Sequence, residues 1–346
     1  MSANQWGHRL VMMSFGESHG QALGVIVDGV PAGLEFDQEL LSKNLARRRP
    51  GQASTTTSRS ELDLPEVLSG ILEGKTLGTP IAILVRNQDS RSQDYKELKP
   101  RAGHADSVWK DKFGIHDLRG GGRASGRETV SRVMAGSVAQ MLVNKVSPKT
   151  QVLGFCSRLG PFELTDQELR QALLLKSVDS VDAFPLRFPS AQATAAEKAL
   201  ELTKSSGDSW GGQVTLVIRG ATRGLGQPVF AKLKSDLSAA MSSVGAVCAV
   251  EWGEGVDASK QRGSEFHTQN RSVYGGIQGG IATGEDILLR VSFKPTSSIG
   301  EVALKGRHDP CIVPRALPVL ESMAWFVLAD HLLWMRTDRA QGPLDV

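Results

Sequence analysis

The sequence predicts an α+β fold that contains two related halves with antiparallel sheets. The first indication is a pattern of strand, glycine-rich turn and helix, which starts near Ile26 and again near Val217. The second is a repeat at a constant separation of 206 residues, which pairs Gly70-Ile71, Gly74, Gly78, Ile81 and Val85 with Gly276-Ile277, Gly280, Gly284, Ile287 and Val291. The third is that helical segments do not separate the strands regularly, as a doubly wound fold requires.

A third correspondence sets the expected boundaries of the halves. Residues 103–106 and 307–309 each place a histidine close to an aspartate, and each precedes a helix led by an arginine. We therefore expect one catalytic domain over 1–346, with pseudo-equivalent halves at about 1–146 and 207–336 and an insert at 147–206. In the insert, Thr165 and Glu168 fit a capping box, and the pattern over 191–204 is helical.

Composition excludes several classes of function. The chain is 40% hydrophobic and 22% charged with a net charge of +3, which is typical of a globular protein. Its basic residues are dispersed and aromatic residues make up 5%, which argues against nucleic-acid binding. The longest apolar run, 323–335, is broken by Asp330 and His331 and is shorter than the ~18 residues of a membrane span. We expect a cytoplasmic protein that contacts no membrane.

The cysteines indicate the redox compartment. Cys156, Cys248 and Cys311 are odd in number and lack the spacing of metal ligands. We therefore expect free thiols in a reducing compartment and no metal site.

Residues 119–128 form the most informative segment. They contain three arginines, a serine and several glycines, and apolar residues at helical spacing follow from Val130. A cationic, glycine-rich loop that leads into a helix offers an anion free backbone N–H groups, the helix dipole and forked arginine side chains. The segment favours an anion site over a solvated surface loop.

The segment 16–20 places His19 between two predicted strands, near 10–15 and 23–27. A histidine between flexible residues can meet a ligand and exchange a proton near neutral pH. The Gly-x-Ser-x-Gly spacing of serine hydrolases is absent. An acid–base histidine and a histidine in a surface turn both remain open at this point.

Three further segments concentrate charge. The arginines at 47–49 end a predicted helix, where they either complement its dipole or bind a polyanion. Residues 294–298 combine a lysine with hydroxyl groups, as in a phosphate site or a polar turn. In 305–311, cationic neighbours favour the ionised form of Asp309, as a base or in a salt-bridged turn. No segment matches a P-loop or dinucleotide fingerprint.

Taken in order, these motifs resemble the chorismate synthase family over nearly the whole chain. The motifs that carry the resemblance are Gly16–Gly20, Val27–Pro31, Arg47–Gln52, Asp89–Tyr95, Gly103–Asp106, Arg119–Thr129, Lys294–Ser298 and Lys305–Cys311. The resemblance implies a single-domain β-α-β sandwich with helices between antiparallel sheets, which agrees with two pseudo-equivalent halves. It also implies a homotetramer.

The resemblance implies a reaction and a cofactor. The family converts 5-enolpyruvylshikimate 3-phosphate into chorismate and phosphate by a 1,4-elimination in the shikimate pathway of aromatic amino acid biosynthesis. It requires reduced FMN without net redox change, because the C6–H bond is too weakly acidic for a side-chain base alone. No nicotinamide fingerprint is visible, so we expect an external flavin reductase to supply FMNH2, although reduction by NADPH on this chain stays open.

Roles carry over by resemblance to individual residues. His19 would protonate the leaving phosphate, His104 would stabilise the reduced flavin, and Asp309 would act with flavin N5 to remove the C6 hydrogen. The implied substrate ligands are Arg48, Arg127 and Arg307. The implied flavin contacts are Arg123, Ala124, Ser125, Gly245, Ala246, Gly279, Lys294, Pro295, Thr296, Ser297, Ser298 and Arg307.

The chain also departs from the family pattern. Ser54, Ala124, Gly126 and Gly245 stand where the family commonly has arginine, serine, alanine and asparagine, which removes one hydroxyl and one cationic contact. Two other functions stay open: a regulator that binds a phosphorylated metabolite, and a phosphatase or phosphate lyase without flavin. The histidines and Asp309 argue against a regulator, because binding alone requires only the arginines.

Overall fold

The computed structural model describes residues 3–49, 61–88, 103–115, 117, 121–269, 271–305 and 309–340. For residues 106, 271 and 305 it describes the backbone alone. Within these ranges a layer of helices lies between two five-stranded antiparallel sheets. The predicted α+β class with antiparallel sheets is therefore confirmed.

The first sheet comes from the N-terminal part of the chain. Its strand order is β1-β2-β3-β7-β4, with a separate hairpin β5-β6. The strands are β1 (Gln5–Trp6), β2 (Val11–Phe15), β3 (Ala22–Asp28), β4 (Pro65–Val67), β5 (Ile71–Leu72), β6 (Lys75–Thr76) and β7 (Ile81–Arg86). In β7 the side chains of Ile81, Ile83 and Val85 are buried while the intervening ones are less so, which is the period of two expected for a strand with one face on the core.

The second sheet has the order β11-β14-β10-β8-β9, with a separate hairpin β12-β13. The strands are β8 (Gln151–Leu159), β9 (Phe162–Glu163), β10 (Gly212–Arg219), β11 (Val247–Trp252), β12 (Ile277–Gln278), β13 (Ile281–Ala282) and β14 (Ile287–Phe293). β14 repeats the alternation of β7, since Ile287, Leu289 and Val291 are buried.

Ten helices are described. They are α1 (Gln38–Arg48), α2 (Asp106–Phe113), α3 (Thr129–Val146), α4 (Asp166–Ala172), α5 (Val178–Asp182), α6 (Ala193–Ser205), α7 (Leu233–Ser242), α8 (Gly263–Phe266), α9 (Glu301–Lys305) and α10 (Val313–Met335). The capping box of Thr165 and Glu168 begins α4 as predicted, and α6 covers the predicted helix at 191–204.

The two sheets share a topology. In each sheet, a strand that precedes the small two-stranded hairpin pairs with the strand that follows that hairpin. These pairs are β3 with β7 and β10 with β14. β4 and β11 add to the far side of β7 and β14. The segment 147–206 is more than an insert, because it supplies β8, which pairs with β10 as β2 pairs with β3. If the two halves are repeats, the second one therefore starts at β8 and not near residue 207. The duplication itself stays a prediction.

The helices α3 and α10 form the centre of the molecule. α3 packs on the first sheet, α10 packs on the second, and the two pack on each other. Both are buried over most of their length, which explains why they are apolar on nearly every side. α10 is long and apolar enough to cross a membrane, but 94% of its 18-residue apolar stretch is buried inside the protein.

Polar residues in the core fix how the layers fit together. Asp330 of α10 accepts hydrogen bonds from the backbone N–H groups of residues 8–10, and Nε2 of His331 lies 2.9 Å from Oδ2 of Asp236 in α7. Nη1 of Arg47 lies 2.5 Å from Oε2 of Glu321. The two polar residues that interrupt the apolar run of α10 are thus paired within the fold.

The three cysteines are free, but their environments differ. Cys248 is exposed on β11, whereas Cys156 and Cys311 are buried. Burial raises the pKa of the Cys156 thiol well above its usual range and raises the pKa of Cys311 to about 12. Since the thiolate is the reactive form, only Cys248 can react rapidly in the folded protein.

We therefore expect an aromatic disulfide reagent at pH 8 to modify one thiol per folded chain and three after denaturation. Cys248→Ser should abolish the fast reaction without lowering the melting temperature. Rapid modification of a second thiol in the native protein would contradict the burial of Cys156 and Cys311.

Candidate active site

A cavity of about 720 Å³ opens where α3 and α10 begin. Its size lies in the range of small-molecule sites, ~300–1,000 Å³. Both halves of the chain contribute to its walls, as expected for a site between pseudo-equivalent units. The wall residues used below are Ser14, His19, Arg48, His104, Arg123, Ala124, Ser125, Gly126, Arg127, Glu128, Thr129, Arg132, Ser243, Gly245, Ala246, Lys294, Pro295, Thr296, Ser297, Ser298, Asp309 and Arg315.

The segment before α3 supplies one wall. It forms two short 3₁₀ turns, Gly122–Ala124 and Gly126–Glu128, and Oγ of Ser125 accepts a hydrogen bond from the backbone N–H of Arg127 at 3.3 Å. Nη2 of Arg123 donates to Oγ of Ser14 at 2.6 Å. This contact joins the cationic loop to the strand that leads to His19.

Arg48 and Arg127 meet at a single carboxylate. Nη1 of Arg48 donates to Oδ2 of Asp63 at 3.1 Å, and Nη1 of Arg127 donates to Oδ1. Nε and Nη2 of Arg48 donate to Oγ1 of Thr129 and to the carbonyl of Gly126 at 3.1 and 3.0 Å. Every nitrogen of the Arg48 guanidinium therefore has a protein acceptor, so Arg48 can act on a ligand mainly through its charge.

Arg127 is held differently. Its Nε donates to Oδ1 of Asn87 at 3.2 Å, and its Nη2 lies 3.9 Å from Oε2 of Glu61. Within the described ranges, Nη2 has no hydrogen-bond acceptor. Nδ2 of Asn87 donates to the carbonyl of Gly20 at 2.8 Å. The amide of Asn87 thus connects Arg127 to the loop that carries His19.

Buried charges of both signs set the electrostatics of this wall. Burial, with the nearby charges of Arg127 and Arg315, lowers the pKa of Arg48 to about 9, and Asp63 opposes that shift. The guanidinium still carries its charge at neutral pH. Arg48 and Arg127 lie against the buried carboxylates of Asp63 and Glu61, and charges act strongly on one another when they are buried.

The opposite wall comes from the second half. Oδ2 of Asp309 is ion-paired with Nη1 of Arg315 in the first turn of α10. The sequence suggested Arg307 and His308 as the cations near Asp309, but those two residues lie outside the described ranges. The structure adds Arg315, which the sequence marked only as the start of a helix.

Lys294 joins segments from the two halves of the chain. Its Nζ donates to the carbonyl of Gly103 at 2.9 Å, next to His104, and its backbone N–H donates to the carbonyl of Ala246 at 3.0 Å. Oγ of Ser209 holds the following segment by donating to the carbonyl of Thr296 at 2.8 Å. These contacts bring the segments 103–105, 245–246 and 294–298 to one side of the cavity.

Most predicted site residues therefore meet at one cavity. The exceptions are Gly279, which lies in the turn between β12 and β13 outside the cavity wall, and Arg307, which lies outside the described residues. Arg47 does not reach the cavity, because it pairs with Glu321 and Asp182 in the core. Arg47 thus forms a buried ion pair, which neither of the two alternatives included, whereas Arg48 lines the cavity.

The sequence also missed part of the site. Arg132 of α3 donates to Oγ and to the carbonyl of Ser243 at 2.6 and 3.0 Å, and it is paired with Glu128. No sequence pattern around Asp63 or Asn87 predicts a role in the site, because the residues that they contact are distant in the sequence. Gly126 and Gly245 line the cavity, and a Cβ at either would meet no atom within 4 Å, so the backbone there is open to a ligand.

The wall that contains Arg48 and Arg127 should bind a simple oxyanion. We expect inorganic phosphate to raise the melting temperature by a few degrees at saturation, because a ligand that binds only the folded state stabilises it. Arg127→Ala should remove most of this increase. Differential scanning calorimetry at matched ionic strength, with chloride as the reference anion, measures the effect.

A suitable control is Arg158→Ala, since Arg158 forms an exposed pair with Glu163. It should leave the phosphate effect unchanged. An equal loss of the effect in both variants would indicate non-specific screening instead of a site.

Comparison with known proteins identifies the family. A family model described as chorismate synthase matches residues 10–333. The chorismate synthase of Bdellovibrio bacteriovorus is 57% identical over 344 residues, covering 98% of this chain and 100% of that protein. That of Methanosarcina acetivorans is 42% identical over 362 residues, covering 96% and 97%. A crystal structure of chorismate synthase matches with a TM-score of 0.77 and 29% identity, over 96% of this chain and 94% of that one. This chain belongs to the chorismate synthase family.

Proposed function

We propose that this chain converts 5-enolpyruvylshikimate 3-phosphate into chorismate and phosphate, with reduced FMN as its cofactor. The observation that carries the proposal is the convergence of His19, His104 and Asp309 on one cavity with buried arginines. In the reaction the C3–O bond breaks and phosphate leaves with the bonding electrons. The C6–H bond also breaks: its hydrogen leaves, in net terms, as a proton, and its electron pair enters the π system, so the ring gains one C–C double bond without net oxidation.

The donor set fits an anionic substrate together with a phosphorylated cofactor. The cavity is lined by cationic side chains from both halves of the chain, by backbone open to a ligand at Gly126 and Gly245, and by Lys294 with three hydroxyl-bearing residues after it. We assign the flavin contacts to Arg123–Ser125, Gly245–Ala246 and Lys294–Ser298. When bound, reduced flavin supplies transient electron density to the substrate as phosphate departs.

Arg127 and Arg48 bind the substrate anions in this proposal. Both arginines line the cavity, but Nη2 of Arg127 is buried and every nitrogen of Arg48 has a protein acceptor, so both act on the substrate mainly through their charge. Arg307 is the third cation that the family pattern assigns to the substrate. Two or more fixed guanidinium groups favour a phosphate that gains negative charge as its ester bond breaks.

His19 protonates the leaving phosphate. It is 7% exposed, and its Nδ1 lies 3.1 Å from Oγ of Ser18, which orients the ring. Asn87 holds the same loop through the carbonyl of Gly20. A positioned acid near a leaving group contributes ~10²–10⁴-fold to rate.

His104 and Asp309 act on the other side of the cavity. His104 lies beside Gly103, whose carbonyl accepts from Lys294, and it favours the anionic form of the cofactor. Asp309 offers a carboxylate that takes up a proton, and Arg315 orients it. His104 and Asp309 thus assist removal of the C6 hydrogen, whereas His19 assists departure of the phosphate.

The assembly and supply of the enzyme are also proposals. We propose a cytoplasmic homotetramer that receives reduced flavin from a separate reductase. Met13, Phe15 and Ile26 give the outer face of the first sheet an exposed apolar patch, which supports contact between copies. Gly279 lies outside the cavity wall, so its contact with flavin stays a prediction.

Turnover should require reduced FMN. Under anaerobic conditions with pre-reduced FMN, we expect stoichiometric release of chorismate and phosphate, and none with oxidised FMN. Chorismate is followed by its absorbance and phosphate by a coupled colorimetric assay. Phosphate release without flavin would instead favour a phosphatase or lyase, and flavin binding without turnover would favour a regulatory protein.

Asp309→Asn tests the role of the carboxylate. The amide preserves volume and one hydrogen bond to Arg315 but removes the proton acceptor, so we expect turnover to fall by ~10²-fold with the melting temperature nearly unchanged. Asp179→Asn is the matched control, because Asp179 forms an exposed pair with Lys43. An Asp309→Asn protein that is destabilised yet fully active per folded molecule would remove Asp309 from the chemistry.

A further inference from the structure

Asp63 is the only described carboxylate that hydrogen-bonds both Arg48 and Arg127. Its two oxygens are divided between them: Oδ2 accepts from Arg48 and Oδ1 accepts from Arg127. The side chains of all three residues are at most 3% exposed. A buried carboxylate shared in this way fixes the distance and the relative orientation of two guanidinium groups.

Without Asp63 the two guanidinium groups would repel each other in a poorly hydrated environment. The pKa of Arg48 already falls because of burial and the charge of Arg127, and Asp63 is its principal counterion. Thr129 and Gly126 would still hold Arg48 by neutral acceptors. Among the described residues, the Arg127 side chain would keep Asn87 as its one hydrogen-bond partner, with Glu61 at 3.9 Å.

The backbone supports a specialised role for this residue. Asp63 has φ +50°, in the left-handed region that is costly for most residues and more readily adopted by Asp and Asn. It stands between Leu62 and Leu64, which are both exposed. Glu61, like Asp63, is buried, so this stretch of backbone directs two acidic side chains inward and two leucines outward.

We propose that Asp63 is a positioning residue, which holds the guanidinium groups of Arg48 and Arg127 in the arrangement that binds the substrate anion. The inference rests on the proposed role of those two arginines. The positioning role predicts that an acidic residue, Asp63, increases the affinity of the site for an anion. Simple electrostatics gives the opposite sign, because removal of a negative charge near a site should tighten anion binding.

The test is the affinity of the full-length protein for inorganic phosphate, measured by calorimetric titration of wild type and Asp63→Asn. Asn tolerates the same backbone conformation, but its amide nitrogen cannot accept a hydrogen bond from the second arginine. We expect the Kd to rise about tenfold, the lower end of the contribution of one charged hydrogen bond. In turnover assays the KM for substrate should rise more than kcat falls, since the lost interaction serves binding.

Two control variants separate the possible outcomes. Glu66→Gln makes the same chemical change in an exposed pair with Arg86 and should leave the Kd for phosphate unchanged. Arg127→Lys should weaken phosphate binding if the arginines form the anion site. Tighter or unchanged binding in Asp63→Asn, with weaker binding in Arg127→Lys, overturns the role of Asp63 and leaves the proposed function standing. Unchanged binding in Arg127→Lys overturns the proposed anion site, and the inference with it.

Asp63→Glu keeps the test decisive if Asp63→Asn fails to fold. The longer side chain retains the charge but displaces both guanidinium groups, so phosphate binding should again weaken. Wild-type affinity in Asp63→Glu would mean that charge alone matters and would overturn the positioning role. Thermal melting of each variant reports the folded fraction used in the titration.

Discussion

The close contact between α3 and α10 determines the geometry of the whole molecule. A Cβ at Gly136 would lie 2.4 Å from Cβ of Ser322 and 2.5 Å from its carbonyl oxygen, so only glycine allows the two helices to approach this closely. Because both helices begin at the cavity, their separation also sets the distance between Arg127 and Arg315. A larger side chain at Gly136 would separate the helices and widen the site.

Each sheet covers the outer side of one central helix, and buried polar contacts keep the layers in register. Apolar surfaces alone allow sliding, because hydrophobic contact has little directional preference. Asp330 fixes the N-terminal segment against the end of α10, and Glu321 binds both Arg47 of α1 and the backbone N–H of Gly154 in β8. These contacts connect the two sheets through α10 and so hold the two walls of the cavity in place.

The sequence predicted the features that depend on local patterns. The glycine repeat at a separation of 206 residues predicted that the two segments correspond, and each of them forms a small hairpin, β5-β6 or β12-β13, followed by a strand, β7 or β14. A capping box predicted the start of α4. Local pattern also located the site motifs, because glycine-rich turns, clustered arginines and isolated histidines are visible over a few residues. The position of β8 was missed, since no repeat marks it.

The parts that sequence could not predict depend on contacts between distant residues. Asp63 lies 64 positions before Arg127, and Asn87 lies 40 positions before it, so no window of sequence contains either pair. Clustered arginines indicate an anion site, but they do not show which guanidinium groups face a ligand. The buried carboxylates decide part of that, because Asp63 accepts one hydrogen bond from Arg48 and one from Arg127 and so fixes the two guanidinium groups relative to each other. In the proposed site, the buried acids therefore matter as much as the arginines, because they set where the positive charges lie.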